Sequence, residues 1–136
     1  MKYVTMYRIL VPVDEAEDRT VQQIEYVTSL PVVPEKVEVL VLHVDEADYA
    51  GAPPKEFADV PSATTAVGEI TDAGIHCQGE KREGGVARTI LDTAESFGAD
   101  EIVMGGRKRS GVAEVVMGSV TRDIVRSASC AVTVVG

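Results

Sequence analysis

The sequence predicts an α/β fold in which a parallel sheet is covered by helices on both faces. Three observations point there. Five short apolar segments alternate with four stretches of helical periodicity. The second segment is a run from Val37 to Val44 broken chiefly by Glu38, as in a strand buried on both faces. Glycine and proline stand between the segments, where turns are needed. The resulting order, β-α-β-α-β-α-β-α-β, requires repeated right-handed crossovers, and these build a parallel sheet.

Taken in order, Arg8 to Val13 is short and rich in β-branched residues, and it stops at Asp14. Asp18 is positioned to cap a helix in which Val21, Ile24, Val27 and Leu30 recur along one face. Pro31 and Pro34 end that segment, and Lys36 to Val44 forms the second strand. Asp45 to Pro61, with Gly51, Pro53, Pro54 and the carboxylates Asp45, Glu46, Asp48 and Glu56, reads as a long mobile loop. A helix follows from Ser62, its expected cap, to Ala73, and Gly74 closes it. Ile75 to Arg82 is polar and contains Gly79, which suits a sheet edge. After Gly84-Gly85, Val86, Ile90, Ala94 and Phe97 share a helix face that Gly98 terminates. Glu101 to Met104 is the fourth strand. Gly118 or Ser119 opens a last helix with Val120, Ile124 and Ala128 on one face, and Ala131 to Val135 is the fifth strand.

Composition narrows the function classes. A chain of 136 residues is most simply one domain, large enough to fold without a metal or a disulfide. No apolar run approaches the ~20 residues of a membrane span, and no signal-peptide layout opens the chain; a cytoplasmic location is expected. Cys77 and Cys130 read as small buried or half-buried hydrophobes, and two Cys and two His at these spacings cannot assemble a zinc site. His43 reads as a satisfied strand residue. The formal charge of -9 and pI near 4.6 argue against nucleic-acid binding and fit a protein kept soluble in high salt.

Against that acidic background, Gly105-Gly106-Arg107-Lys108-Arg109-Ser110-Gly111 is cationic, and Gly118-Ser119 follows after a short apolar run. A positive, glycine-flanked loop feeding a helix N-terminus is an arrangement that holds phosphate. Ligands of open α/β sheets bind beyond the carboxyl ends of the strands, where strand order reverses. If the first and fourth strands are neighbours, Asp14 faces the 105–119 loop across one crevice. Pro12 either ends its strand or marks a site where a local rule is broken. Neither GxxxxGK(S/T) nor GxGxxG after the first strand is present, so Walker-type and dinucleotide enzymes are not supported. No nucleophile elbow occurs.

Val11-Pro12-Val13-Asp14, Leu42-His43-Val44, the Gly105 to Ser119 segment and the tail Ala128-Ser129-Cys130-Ala131-Val132-Thr133-Val134-Val135 together resemble the universal stress protein family. The resemblance runs over nearly the whole chain from Tyr7, leaving residues 1–5 as an extension and residues 6–136 as a single domain. It implies a Rossmann-like (adenine nucleotide alpha hydrolase-like) three-layer sandwich, with five parallel strands in order 3-2-1-4-5. It also implies a homodimer through Ala131 to Val135. Asp14 and the Val44 backbone would contact adenine or ribose, with Pro12 and Val13 lining that wall. Met104, Gly105, Gly118, Ser119 and Val120 would surround ribose and phosphates. Arg107, Lys108 and Arg109 would add charge-assisted phosphate contacts.

The departure is Lys108, which stands where the family's Gly-x-x-Gly pattern has its second glycine, while the nine-residue spacing to Gly118 is kept. The implied function is an ATP- or AMP-binding stress-response regulator or sensor with at most slow ATP hydrolysis. Mg²⁺ would accompany ATP near Asp14 or Asp45. The alternative is a dimeric adaptor of the same fold that binds no nucleotide.

Overall fold

The period-2 alternation of apolar residues in the first strand decides how the layers form. A computed structural model describes residues 6–46, 53, 55–108 and 115–136, with the backbone alone at 107, 108, 115 and 116. In β1 (Tyr7–Pro12), Ile9 and Val11 point to one face and Leu10 to the other, and all three are fully buried. Ile9 and Val11 pack with α1 (Glu17–Thr28) and α2 (Pro61–Asp72) through Ile24, Val27, Ala63, Ala66 and Ile70. Leu10 packs with α3 (Val86–Phe97) and α4 (Ser119–Ser127) through Ile90, Ala94 and Ile124.

The main sheet also contains β2 (Val37–Asp45), β3 (His76–Glu83), β4 (Glu101–Gly105) and, after a two-residue ribbon of β5 (Arg107–Lys108) and β6 (Val115–Val116), β7 (Ala131–Val135). Its order is β3-β2-β1-β4-β7, all parallel, so the five strands stand in the expected order 3-2-1-4-5. The polar strand β3 is at one edge and β7 at the other. Gly79 in β3 has a steric reason: a Cβ there would lie 2.3 Å from Cζ of Phe57, whose ring covers the strand. Gly74 and Gly98 follow their helices at φ +85° and +72°, as C-terminal glycines do.

Several local expectations are corrected. Asp18 does not cap α1. Ala16 holds the N-cap position, Glu17 and Asp18 lie in the first turn beside the positive helix end, and the Ala16 amide donates to Asp14 Oδ1 at 2.9 Å. Leu30 lies beyond α1, which ends at Thr28, and packs partly buried against the core. Ser62 is not a cap either. Pro61 starts α2, and Ser62 Oγ instead donates to the carbonyl of Asp14 at 2.5 Å. Residues 47–52 and 54 of the expected loop lie outside the described residues. The rest of that segment includes a short 3₁₀ turn at Phe57–Asp59. Cys77 and Cys130 are half-buried free thiols, and burial pushes the Cys77 thiol up to about 12.

The polarity of the sheet places a crevice at one end. β1 and β4 are adjacent, but the chain leaves them in opposite directions, β1 toward β2 and β4 toward β7. At the lower end the pair is tied by reciprocal bonds between Arg8 and Asp100: the Asp100 amide donates to the Arg8 carbonyl at 2.8 Å, and the Arg8 amide to Asp100 Oδ2 at 2.9 Å. Their ladder then holds only two residue pairs, Ile9 with Glu101 and Leu10 with Ile102. Above those pairs the strand ends part.

Candidate functional site

Where β1 and β4 part, side chains of α1 take over from the ladder. Gln23 is 2% exposed on the inner face of the helix. Its Nε2 donates to the carbonyl of Pro12 at 2.7 Å and to that of Val103 at 2.9 Å. One amide thus bridges the two strand ends. Pro12, the last residue of β1, has no N–H to give, and the Val103 carbonyl on the neighbouring strand takes the Gln23 amide instead. The next amide, Val13, donates to Leu42 and closes β1 against β2 at 2.8 Å.

Arg19, one turn before Gln23, lies over the end of β4. A Cβ on Gly105 would sit 3.1 Å from Cβ of Arg19 and 3.5 Å from its Cδ. The missing side chain at Gly105 therefore admits the Arg19 stem. The Arg19 guanidinium pairs with Asp14, Nη2 to Oδ2, at 2.5 Å. His43, 7% exposed at the end of β2, is satisfied within the fold, with Nδ1 3.2 Å from the carbonyl of Val13. Because a carbonyl only accepts, Nδ1 carries the proton in this contact.

These elements enclose a cavity of about 560 Å³ at the carboxyl ends of β1, β2 and β4. Pro12, Val13, Asp14, Val44, Met104, Gly105, Gly118, Ser119 and Val120, all singled out from the sequence, line it together. Leu42 from β2 and Val86 and Ile90 from α3 add an apolar wall. Glu46 and Thr121 add polar groups, and Arg19 is the one arginine or lysine among the described lining residues. The volume falls in the range of small-molecule sites, and an apolar body with a few convergent polar groups is their usual make-up.

Two features put main-chain polar groups on opposite sides of the cavity. On one side, Leu42 turns its carbonyl toward β1, and strand alternation turns the Val44 amide and carbonyl the same way, past the point where β1 has ended. On the other side, Gly118 is the N-cap of α4 and Ser119 its first residue. The first amides of a helix lack intrahelical acceptors and carry the positive end of its dipole. Gly118 has φ −77°, and a Cβ built on it would meet nothing within 4 Å among the described residues. A glycine is therefore not demanded there by the protein's own packing.

The cationic cluster and the proposed metal carboxylates fare differently. Arg107 and Lys108 belong to the antiparallel ribbon, where Arg107 faces Val116 and Lys108 faces Val115, and an extended backbone needs no glycine at 108. Their side chains, and Arg109 entirely, lie outside the described residues. Asp45 is not a lining residue of the cavity; its Oδ2 accepts the Lys55 amide at 3.1 Å. Asp14 is engaged by Arg19, and no group of three metal-ligating side chains forms among the described residues. The donor set thus does not fit a Mg²⁺ held jointly by Asp14 and Asp45. At the rim, Lys55 pairs with Glu15; the ammonium holds that carboxyl below its ordinary value and is itself raised.

Arg19 and Gln23 were not singled out from the sequence. The signal available was a polar residue, Gln23, on the helix face that carries Thr20, Ile24 and Val27. A buried polar side chain on a core face must have a partner, and here the partners are strand-end carbonyls.

Comparison with known proteins agrees with the fold. The family model described as the universal stress protein family matches residues 6–136. A universal stress protein of Synechocystis is 33% identical over 69 residues, 51% of this chain and 45% of that protein. The chain thus matches less than half the length of this curated relative, and a second, from Methanocaldococcus jannaschii, is matched over 36% of its length. Among solved structures, a universal stress protein from Archaeoglobus fulgidus is similar with a TM-score of 0.75 and 25% identity, covering 96% of this chain and 98% of that one. Another, from the same organism in complex with dAMP, has a TM-score of 0.71 and 24% identity, covering 98% and 100%. The chain belongs to the universal stress protein family.

Proposed function

We propose that this chain binds an adenine nucleotide, ATP or AMP, in the cavity above β1 and β4, and that occupancy sets its state as a cytoplasmic stress-response regulator or sensor. The observation that carries the reading is the opposition of two ligand surfaces across one cavity of about 560 Å³. Asp14 and the free edge of Val44 suit a ribose and a base. Gly105, Gly106, Gly118 and the first turn of α4 suit phosphate. The similar Archaeoglobus fulgidus protein in complex with dAMP supports the choice of adenine. Arg107, Lys108 and Arg109 would contribute charge from the loop. At most slow ATP hydrolysis accompanies binding, and any Mg²⁺ would arrive with the phosphates.

The chain acts, in this reading, as a homodimer. Among the described residues β7 is an edge strand paired with β4 alone in the main sheet, and Ala131 to Val135 is a largely apolar run that pairing would protect. The second reading, a dimeric adaptor without nucleotide, is favoured by one observation, the lysine at 108 in place of a motif glycine. Release of bound nucleotide separates the two. The purified protein is denatured and the supernatant assayed for adenine nucleotides, and the ligand-free protein is then soaked with AMP and repurified. Recovery of AMP in near-stoichiometric amount supports the sensor. Recovery of none, before or after soaking, supports the adaptor.

A further inference from the structure

Arg19 is placed as few surface arginines are. Its side chain is only 19% exposed, while the Asp14 carboxylate that it grips is 56% exposed. The stem is packed over Gly105, and the head reaches across from the end of β4 to the end of β1. Arg19 therefore spans the mouth of the crevice, one helical turn from Gln23, which spans its floor. A guanidinium has five N–H donors, and the described contacts use one nitrogen, Nη2, on Asp14. No buried side-chain nitrogen or oxygen among the described residues is left without a partner, and Arg19 is among the residues that line the cavity.

An arginine with one arm fixed and the others open is preorganised for an oxyanion. Holding Asp14 limits the rotamers that the side chain would otherwise lose on binding, and the planar fork matches two oxygens of a phosphate. Its stem lies over Gly105 and its head on Asp14, the residues that the nucleotide reading puts beside the ribose, so the phosphate nearest the ribose is the one within its reach. We infer that Arg19 is the residue through which this cavity reads the ribose-proximal phosphate of its ligand, a contact supplied from α1. The inference rests on the nucleotide reading above. It adds a specificity: the first phosphate contributes strongly through Arg19, and further phosphates contribute little through it.

The test is a calorimetric titration of the full chain with adenosine, AMP and ATP, for the wild type, R19Q and R19K. R19Q is expected to weaken AMP and ATP by the same factor, about tenfold to a hundredfold for a lost charge-assisted contact. Adenosine should change by less than about threefold, because it offers no oxyanion. R19K keeps the charge but not the fork and should fall between. It also serves if R19Q does not fold. An equal loss for all three ligands would show that Arg19 only supports the fold, and an ATP loss much larger than the AMP loss would place it on the outer phosphates. Either result overturns the inference while leaving the nucleotide reading intact. A wild type that binds none of the three removes the nucleotide reading itself, and this inference with it.

Discussion

Replacing Gln23 by leucine tests whether one buried amide holds the crevice together. The two side chains are similar in volume, so the cavity contribution is small, and the change removes a donor that serves two carbonyls. Leaving a buried acceptor unpaired costs about 1–3 kcal/mol. Both carbonyls lie at the cavity end of the sheet, where water can reach them once the strand ends relax, so the lower end of that range applies to each. Leucine returns about 1 kcal/mol through its added apolar surface. The expected net loss is ~1 kcal/mol, which for a domain of this length lowers the melting temperature by roughly 3–4 °C. Urea unfolding should show a lower midpoint at an unchanged slope, since the surface exposed on unfolding barely changes. Q23E sharpens the test. A carboxylate facing two acceptors has its folded-state pKa raised, so its deficit is present at neutral pH and shrinks as pH falls and the protonated form donates. A Q23L protein within about 0.5 kcal/mol of the wild type, or a Q23E protein as stable as wild type at neutral pH, would refute the bridging role.

Two further predictions concern the scaffold. Alanine at Gly79 would drive its Cβ into the Phe57 ring, 2.3 Å from Cζ, and should cost about 1–3 kcal/mol. A G79A/F57L double variant should recover part of that loss, and strict additivity of the two single changes would count against the contact. At the other end of the sheet the Glu101 carboxylate, 3% exposed, accepts hydroxyl donors from Tyr7, Tyr26 and Thr133 at 2.6 to 2.7 Å. Burial, then the bond to Glu101, raises the Tyr7 pKa well above the ordinary tyrosine value. Above the unfolded-state value of about 10 the native state holds the proton that the unfolded chain has lost, so stability is full below that pH and falls as pH rises. Y7F should flatten this alkaline limb in denaturation series run on either side of that pH, and identical limbs would refute the assignment.

Much of the scaffold was legible because burial writes itself into apolar spacing. The run from Val37 and the 86-90-94-97 face could hardly be anything but a central strand and a core helix, and Gly74 and Gly98 ended their helices as their backbone freedom suggested. The helix starts were less legible. Asp18 and Ser62 have the chemistry of caps, but tertiary demands took precedence: Ser62 is held by the Asp14 carbonyl, and Asp14 itself organises the turn into α1. The two-residue ribbon carries too little periodicity to be seen. At the site, main-chain features were recoverable from motif resemblance, because they depend on where strands and helices end. Arg19 and Gln23 act through contacts with residues near 105 that no local pattern records.

The claim at the centre of this account is that the cavity holds an adenine nucleotide with its phosphate against the first turn of α4. Calorimetry with AMP and ATP on the wild type and on G118V tests it most directly. A Cβ at this position meets nothing within 4 Å among the described residues, and φ −77° is allowed for valine, so the fold should melt within about 3 °C of the wild type. The valine methyl groups would occupy the phosphate path. The account predicts saturable binding by the wild type below millimolar concentration and none by a folded G118V. No heat from the wild type at millimolar ligand, or binding that survives in G118V, would contradict it.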